Sequence, residues 1–118
     1  MQLLTKDIEA RLLKNGQAQR KAEAIGRAID FFPVVKLFTP DAGATWLLTE
    51  IDPDDPDIAF GLCDLGLGFP ELGTVSLAEL REVRGRLGLP VERDLSFKAD
   101  RRLSTYAAEA HAHGCIVA

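Results

Sequence analysis

The sequence predicts an α+β domain: an antiparallel sheet of about four strands, with helices packed on one face. Three observations carry this. Apolar, β-branched runs at PVVKLF, TWLLTEI and IAFGLCDL are separated by short turn-forming segments. A capping box, Ser76-Leu77-Ala78-Glu79, opens a helical stripe. Helical spacing also governs Ile8, Leu12 and Leu13 near the start.

Thr5 caps the first helix, which Asn15-Gly16 is expected to stop. Residues 17 to 29, rich in alanine and charge, favour a second helix, against which Gly16 and Gly26 count, with a solvated loop as the alternative. The strand PVVKLF ends at Pro40-Asp41-Ala42-Gly43, and TWLLTEI follows as its hairpin partner. Asp52-Pro53-Asp54-Asp55-Pro56-Asp57 repels itself and lacks two N–H donors, which predicts an exposed loop before the third strand. Gly66, Gly68 and Gly73 around Phe69-Pro70 predict a bent crossing over the sheet, not a regular element. From Ser76 the stripe Leu77, Leu80, Val83, Arg84 and Leu87 predicts a helix ended by Gly85, Gly88 and Pro90. VERDLSF is the last strand, with Val91, Arg93, Leu95 and Phe97 on one face, and STYAAEAHA a last short helix.

The 118 residues make one domain, 1–118, able to bury about two thirds of the surface of the unfolded chain. With 47% hydrophobic and 27% charged residues the chain has the composition of a soluble globular protein. No signal core or membrane span is evident, so a cytoplasmic location is expected, and Cys63 and Cys115 are expected to be reduced thiols. Charge is uneven. Between Leu37 and Leu80 stand nine acids and no lysine or arginine, while both flanks are net basic and the whole chain carries −4. That balance opposes generic attraction to DNA or anionic membrane and favours a partner with a basic surface.

The resemblance that the chain carries agrees with this. LLT at 3–5, LFTP at 37–40, TWLLTE at 45–50, FGL at 60–62, PELGTVSLAEL at 70–80 and GLPVERDLSF at 88–97 keep their order across most of the chain. Together they resemble the bacterial domain of unknown function 2958 family, whose members are commonly carried by plasmids, phages and integrated elements. The resemblance implies a mobile-element accessory protein and assigns no catalytic residues.

Candidate residues are few. Arg93 alternates with apolar residues and requires a partner, for which Glu50, on the face of Trp46 and Leu48, is the candidate; Asp94 adjoins it. A structural ion pair is the favoured reading over a site. Asp52, Asp54, Asp55 and Asp57 are expected to form an outward acidic surface, since they lack the glycine and glutamate spacing of an EF-hand. Trp46 suits packing on a sheet face, with partner anchoring as its alternative use. His111, His113 and Cys115 diverge on a helix, so no metal and no cofactor are assigned. Arg81, Arg84, Arg86, Arg101 and Arg102 form the one basic grouping, interleaved with acids.

The expectation is a non-enzymatic accessory protein that binds a host or element-encoded protein through its acidic surface, in counter-defence for instance. The alternatives are a metal-assisted enzyme acting on nucleic acid or nucleotide through Glu50, Asp52 and Asp94, and a DNA-binding accessory protein. Oligomeric state is left open.

Overall fold

The computed structural model describes residues 2–118. Five antiparallel strands form one sheet in the order β4-β3-β2-β1-β5, with β1 Val35–Phe38, β2 Thr45–Asp52, β3 Asp55–Asp64, β4 Glu71–Ser76 and β5 Glu92–Arg93. Three helices complete it: α1 Lys6–Ala24, α2 Leu77–Glu82 and α3 Leu103–His113. The α+β class and the antiparallel sheet are as the sequence predicts, with one strand more.

The sheet is covered on both faces. Leu12 of α1 and Leu77 and Leu80 of α2 share a core with Val35, Leu37, Trp46, Leu48, Ile51 and Ala59, so these two helices do lie on one face. On the other, Leu103, Tyr106, Ala107 and Ala110 of α3 pack on Leu47 and Leu62. Alternating residues of β2 therefore both find apolar partners, which explains why its centre is apolar without interruption.

Helix α1 corrects the largest misreading. It starts where expected, with Thr5 Oγ1 accepting from Ile8 N at 3.1 Å, but runs through Asn15-Gly16 to Ala24. Gly16 is buried where the helix crosses β2, and a Cβ there would stand 1.8 Å from the carbonyl oxygen of Ile51. The glycine permits close helix–sheet approach instead of stopping the helix. The two predicted helices are thus one.

Four smaller corrections concern strands β3, β4 and β5 and helix α2. The Asp/Pro segment is no loop: Asp52 pairs with Asp55 and only Pro53-Asp54 turns between β2 and β3. Pro56 is tolerated because the ladder skips from Asp55 to Ala59 at that point. The glycine-rich crossing ends in β4, regularly paired with β3 from Cys63↔Glu71 to Ile58↔Ser76. Helix α2 stops at Glu82 instead of continuing to Leu87, because Asp41 Oδ2 accepts from Leu87 N at 2.6 Å and Leu89 N at 3.3 Å and holds the next segment as a loop. Leu87 is 81% exposed. Strand β5 keeps two of its seven predicted residues, since Asp94 Oδ1 accepts from Ser96 N at 2.9 Å and turns the chain away from β1.

Candidate functional site

The polar centre of the molecule lies where α1 crosses the end of the β2–β3 hairpin. Leu48 faces Gly61 and Glu50 faces Phe60, leaving Thr49 as the extra residue of a bulge. Asn15 Nδ2 donates to the Thr49 carbonyl at 2.9 Å, and the buried Thr49 hydroxyl contacts Phe60 O at 3.3 Å and Glu50 Oε1 at 3.2 Å. The bulge changes the alternation: Trp46, Leu48 and Ile51 all enter the α1-side core. Glu50 consequently leaves the face of Trp46 and Leu48, where simple period-two counting puts it.

Glu50 instead borders a cleft of about 220 Å³ lined by Gln19, Arg20 and Glu23 of α1 and by Asp52 and Phe60 of the hairpin. Burial raises the Glu50 pKa above the ordinary glutamate range; hydrogen bonds from Gln19 and Thr49 oppose this, and the nearby Glu23 charge adds to it. A carboxyl with a raised folded-state pKa favours folding below its unfolded pKa, and that contribution is lost as pH rises through the folded pKa. Glu50→Gln is therefore expected to raise the Tm at pH 7 relative to the parent and to lose the advantage near pH 4. Melting curves across that range check it, and a variant less stable at pH 7 refutes the desolvated-carboxylate account.

At the tip, Arg20 bonds Asp54 and reaches Asp52 Oδ1 at 3.0 Å, while Asp52 Oδ1 also accepts from Asp54 N at 2.8 Å. Asp55 Oδ1 accepts from Asp57 N at 3.3 Å. Asp57 has a separate structural task. Its Oδ2 accepts from Ser76 Oγ at 2.6 Å and its Oδ1 from Ala78 N at 2.8 Å, beside the expected cap in which Ser76 Oγ accepts from Glu79 N at 3.2 Å. The Ser76 and Ala78 bonds hold the Asp57 pKa below the usual carboxylate range. Asp41 and Asp64 likewise point their carboxylates at backbone amides, so the acidic surface is smaller than the count of acids implies.

The predicted ion pair between Arg93 and Glu50 does not form. β5 joins the sheet beside β1, with Arg93 opposite Leu37 and Leu37 opposite Trp46, which sets it several residues from the Glu50 row. Arg93 Nη1 donates to Gln2 O at 2.8 Å and Leu3 O at 3.0 Å, fastening the amino-terminal segment to the sheet edge. Asp94 approaches Lys36 Nζ at 3.5 Å. Glu50, Asp52 and Asp94 are therefore not gathered around one point, and among the described residues no group of three or more His, Cys, Asp and Glu is arranged to hold a metal ion. Trp46 is 3% exposed, within the core.

Four of the five arginines of the basic grouping are engaged locally. Arg81 faces Glu9, Arg84 bonds the carbonyls of Arg81 and Val83, Arg101 bonds Asp100 and Glu109, and Arg102 bonds Asp30 O. The basic grouping is thus spread over separate intramolecular contacts. Burial pushes the Cys63 thiol up to about 11, so it stays protonated at neutral pH. Gln19, Arg20 and Glu23 are the residues that sequence reasoning did not assign. Their signal was their shared face at i, i+1 and i+4, legible once the helix is continued through Gly16.

Among the described residues no helix is long and apolar enough to cross a membrane. No curated protein and no solved structure matches the chain. A family model described as "Protein of unknown function (DUF2958)" matches residues 3–117, and the chain belongs to that family.

Proposed function

We propose that the chain is a non-enzymatic accessory protein of a mobile genetic element, acting in the cytoplasm by binding a protein partner through its acidic hairpin. The observation that carries this reading is the local charge: Glu23, Glu50, Asp52 and Asp54 collect around one arginine, Arg20, at the α1 and β2–β3 junction, with Asp55 next along the hairpin. A rigid tip of this sign attracts lysine and arginine and repels acidic competitors. The partner is a host or element-encoded protein with a basic surface. The nucleic-acid-binding face of a defence nuclease has the required chemistry, since carboxylates compete there with phosphates.

Asp54 and Asp55 are exposed and give the clean test, whereas Asp57 caps α2 and its loss would disturb the fold. Asp54→Asn/Asp55→Asn is expected to keep the parent's circular dichroism and to change stability by no more than about 0.5 kcal/mol. It is expected to lose a basic protein that the parent retains from extract of the native host, with parental binding weakened by added salt. Retention indifferent to both substitutions overturns the reading.

A further inference from the structure

The sheet has two edges, and they are treated differently. On the β5 side the strand is two residues long, is followed at once by the Asp94 turn, and directs Arg93 to the amino-terminal carbonyls. On the other side β4 presents six residues, Glu71–Ser76, whose outer backbone groups meet no further strand of the sheet. Free edges are normally blunted by proline, lysine, a bulge or an inward charge. β4 has none of these. Its pairing with β3 is regular over its whole length, and Leu72 to Ser76 contains no charged residue. Leu72 is 49% exposed and Phe69, just before the strand, 79% exposed. A Cβ built on Gly73 would meet nothing within 4 Å, so the sheet face beside the edge is uncovered there.

From this we propose that β4 is the pairing edge of a homodimer, in which two copies join β4 antiparallel to β4 about a two-fold axis and continue the sheet across the interface. A second copy suits the edge because the pairing is self-complementary. With the axis at Thr74, Thr74 faces itself, Leu72 faces Ser76, and Gly73 faces Val75, all uncharged. The one charge of the strand, Glu71, stands at its end and outside these three pairs, since the partner chain has already turned into α2 there. A stable interface removes about 800 Å² from each partner, more than a six-residue edge supplies. The additional apolar area lies alongside: Phe69 beyond one end of β4, and beside Leu72 a cleft of about 260 Å³ lined also by Ile29, Phe31, Phe60 and Leu103.

Sedimentation equilibrium of the full chain over a concentration series tests the proposal. Dimer mass is expected, with dissociation in the micromolar range. Leu72→Lys/Thr74→Lys, two exposed positions, is expected to give the monomer mass with unchanged circular dichroism, and Thr74→Lys alone to weaken dimerisation at least tenfold. Amide exchange in β4 of the parent should slow as concentration rises. A parent monomeric throughout the series, or a dimer that Thr74→Lys leaves intact, overturns it. So does slow exchange of the outward-pointing β4 amides, those not bonded to β3, that is independent of concentration.

Discussion

Gly16→Ala is expected to destabilise the protein although alanine is the better helix former. In an exposed helical position the exchange gains about 1 kcal/mol. Here the new methyl group would stand 1.8 Å from the Ile51 carbonyl oxygen and 3.0 Å from its carbon. Both are backbone atoms of β2, held there by the pairing of Ile51 with Ala59 of β3, so neither can rotate away. Helix α1 must lift, loosening the Asn15 bond to Thr49 and uncovering Leu12, which is fully buried one turn earlier. Overpacking of this kind costs about 1–3 kcal/mol, and breaking the adjacent contacts adds to it. A net loss of about 2 kcal/mol or more, on the order of 5–15 °C in Tm, is expected. Ala10→Gly, on the exposed face of the same helix, provides the reference for propensity alone. Urea denaturation of both variants distinguishes the accounts. Should Gly16→Ala prove more stable than the parent, the crossing of α1 over β2 is wrong and the glycine is a helix stop after all.

The reason that Gly16 misleads also separates the legible parts of this fold from the rest. Strands β1 and β2 and the caps at Thr5 and Ser76 were legible because their signals are local: alternation, turn residues, and a hydroxyl three residues before the amide it accepts from. What was hidden depends on contacts remote in sequence. Gly16 makes sense only beside Ile51, and the end of α2 only beside Asp41, 46 residues before Leu87. The bulge at Thr49 is the most consequential case. One extra residue moves Glu50 off the face of Trp46 and delivers it to Gln19 and Glu23, while the β1–β5 register separately sets Arg93 several residues away. Nothing in TWLLTEI marks the bulge, because Thr49 is an ordinary strand residue whose side chain suits either face. The charge of the central segment was visible at once. Its division into surface acids and amide-binding acids was not, since an aspartate that caps a helix and one that faces water read alike.

Asp64 belongs to the second kind, and Asp64→Ala is the other substitution with a large expected cost. The residue is 2% exposed at the end of β3, opposite Thr45. Its Oδ1 accepts from Gly66 N at 2.8 Å, starting the turn toward β4, and its Oδ2 accepts from Ile116 N at 2.9 Å. One carboxylate therefore fastens the β3–β4 connection and the segment after α3, whose Ile116 packs against the α3-side core. Alanine removes the acceptor of both amides, of which Gly66 N lies in an exposed turn that water can reach and Ile116 N is half-buried. Hydrogen bonds to a charged group are worth about 1.5–3 kcal/mol each, so a loss of about 2–3 kcal/mol is expected. Asp64→Asn, which keeps one oxygen of the same reach, should cost less and preserve one of the two attachments. Amide exchange at Ile116 supplies the local readout: it should accelerate strongly in the alanine variant, along with a lower urea midpoint. A variant within about 0.5 kcal/mol of the parent, with Ile116 still protected, would mean that the α3-side core holds this segment without the carboxylate.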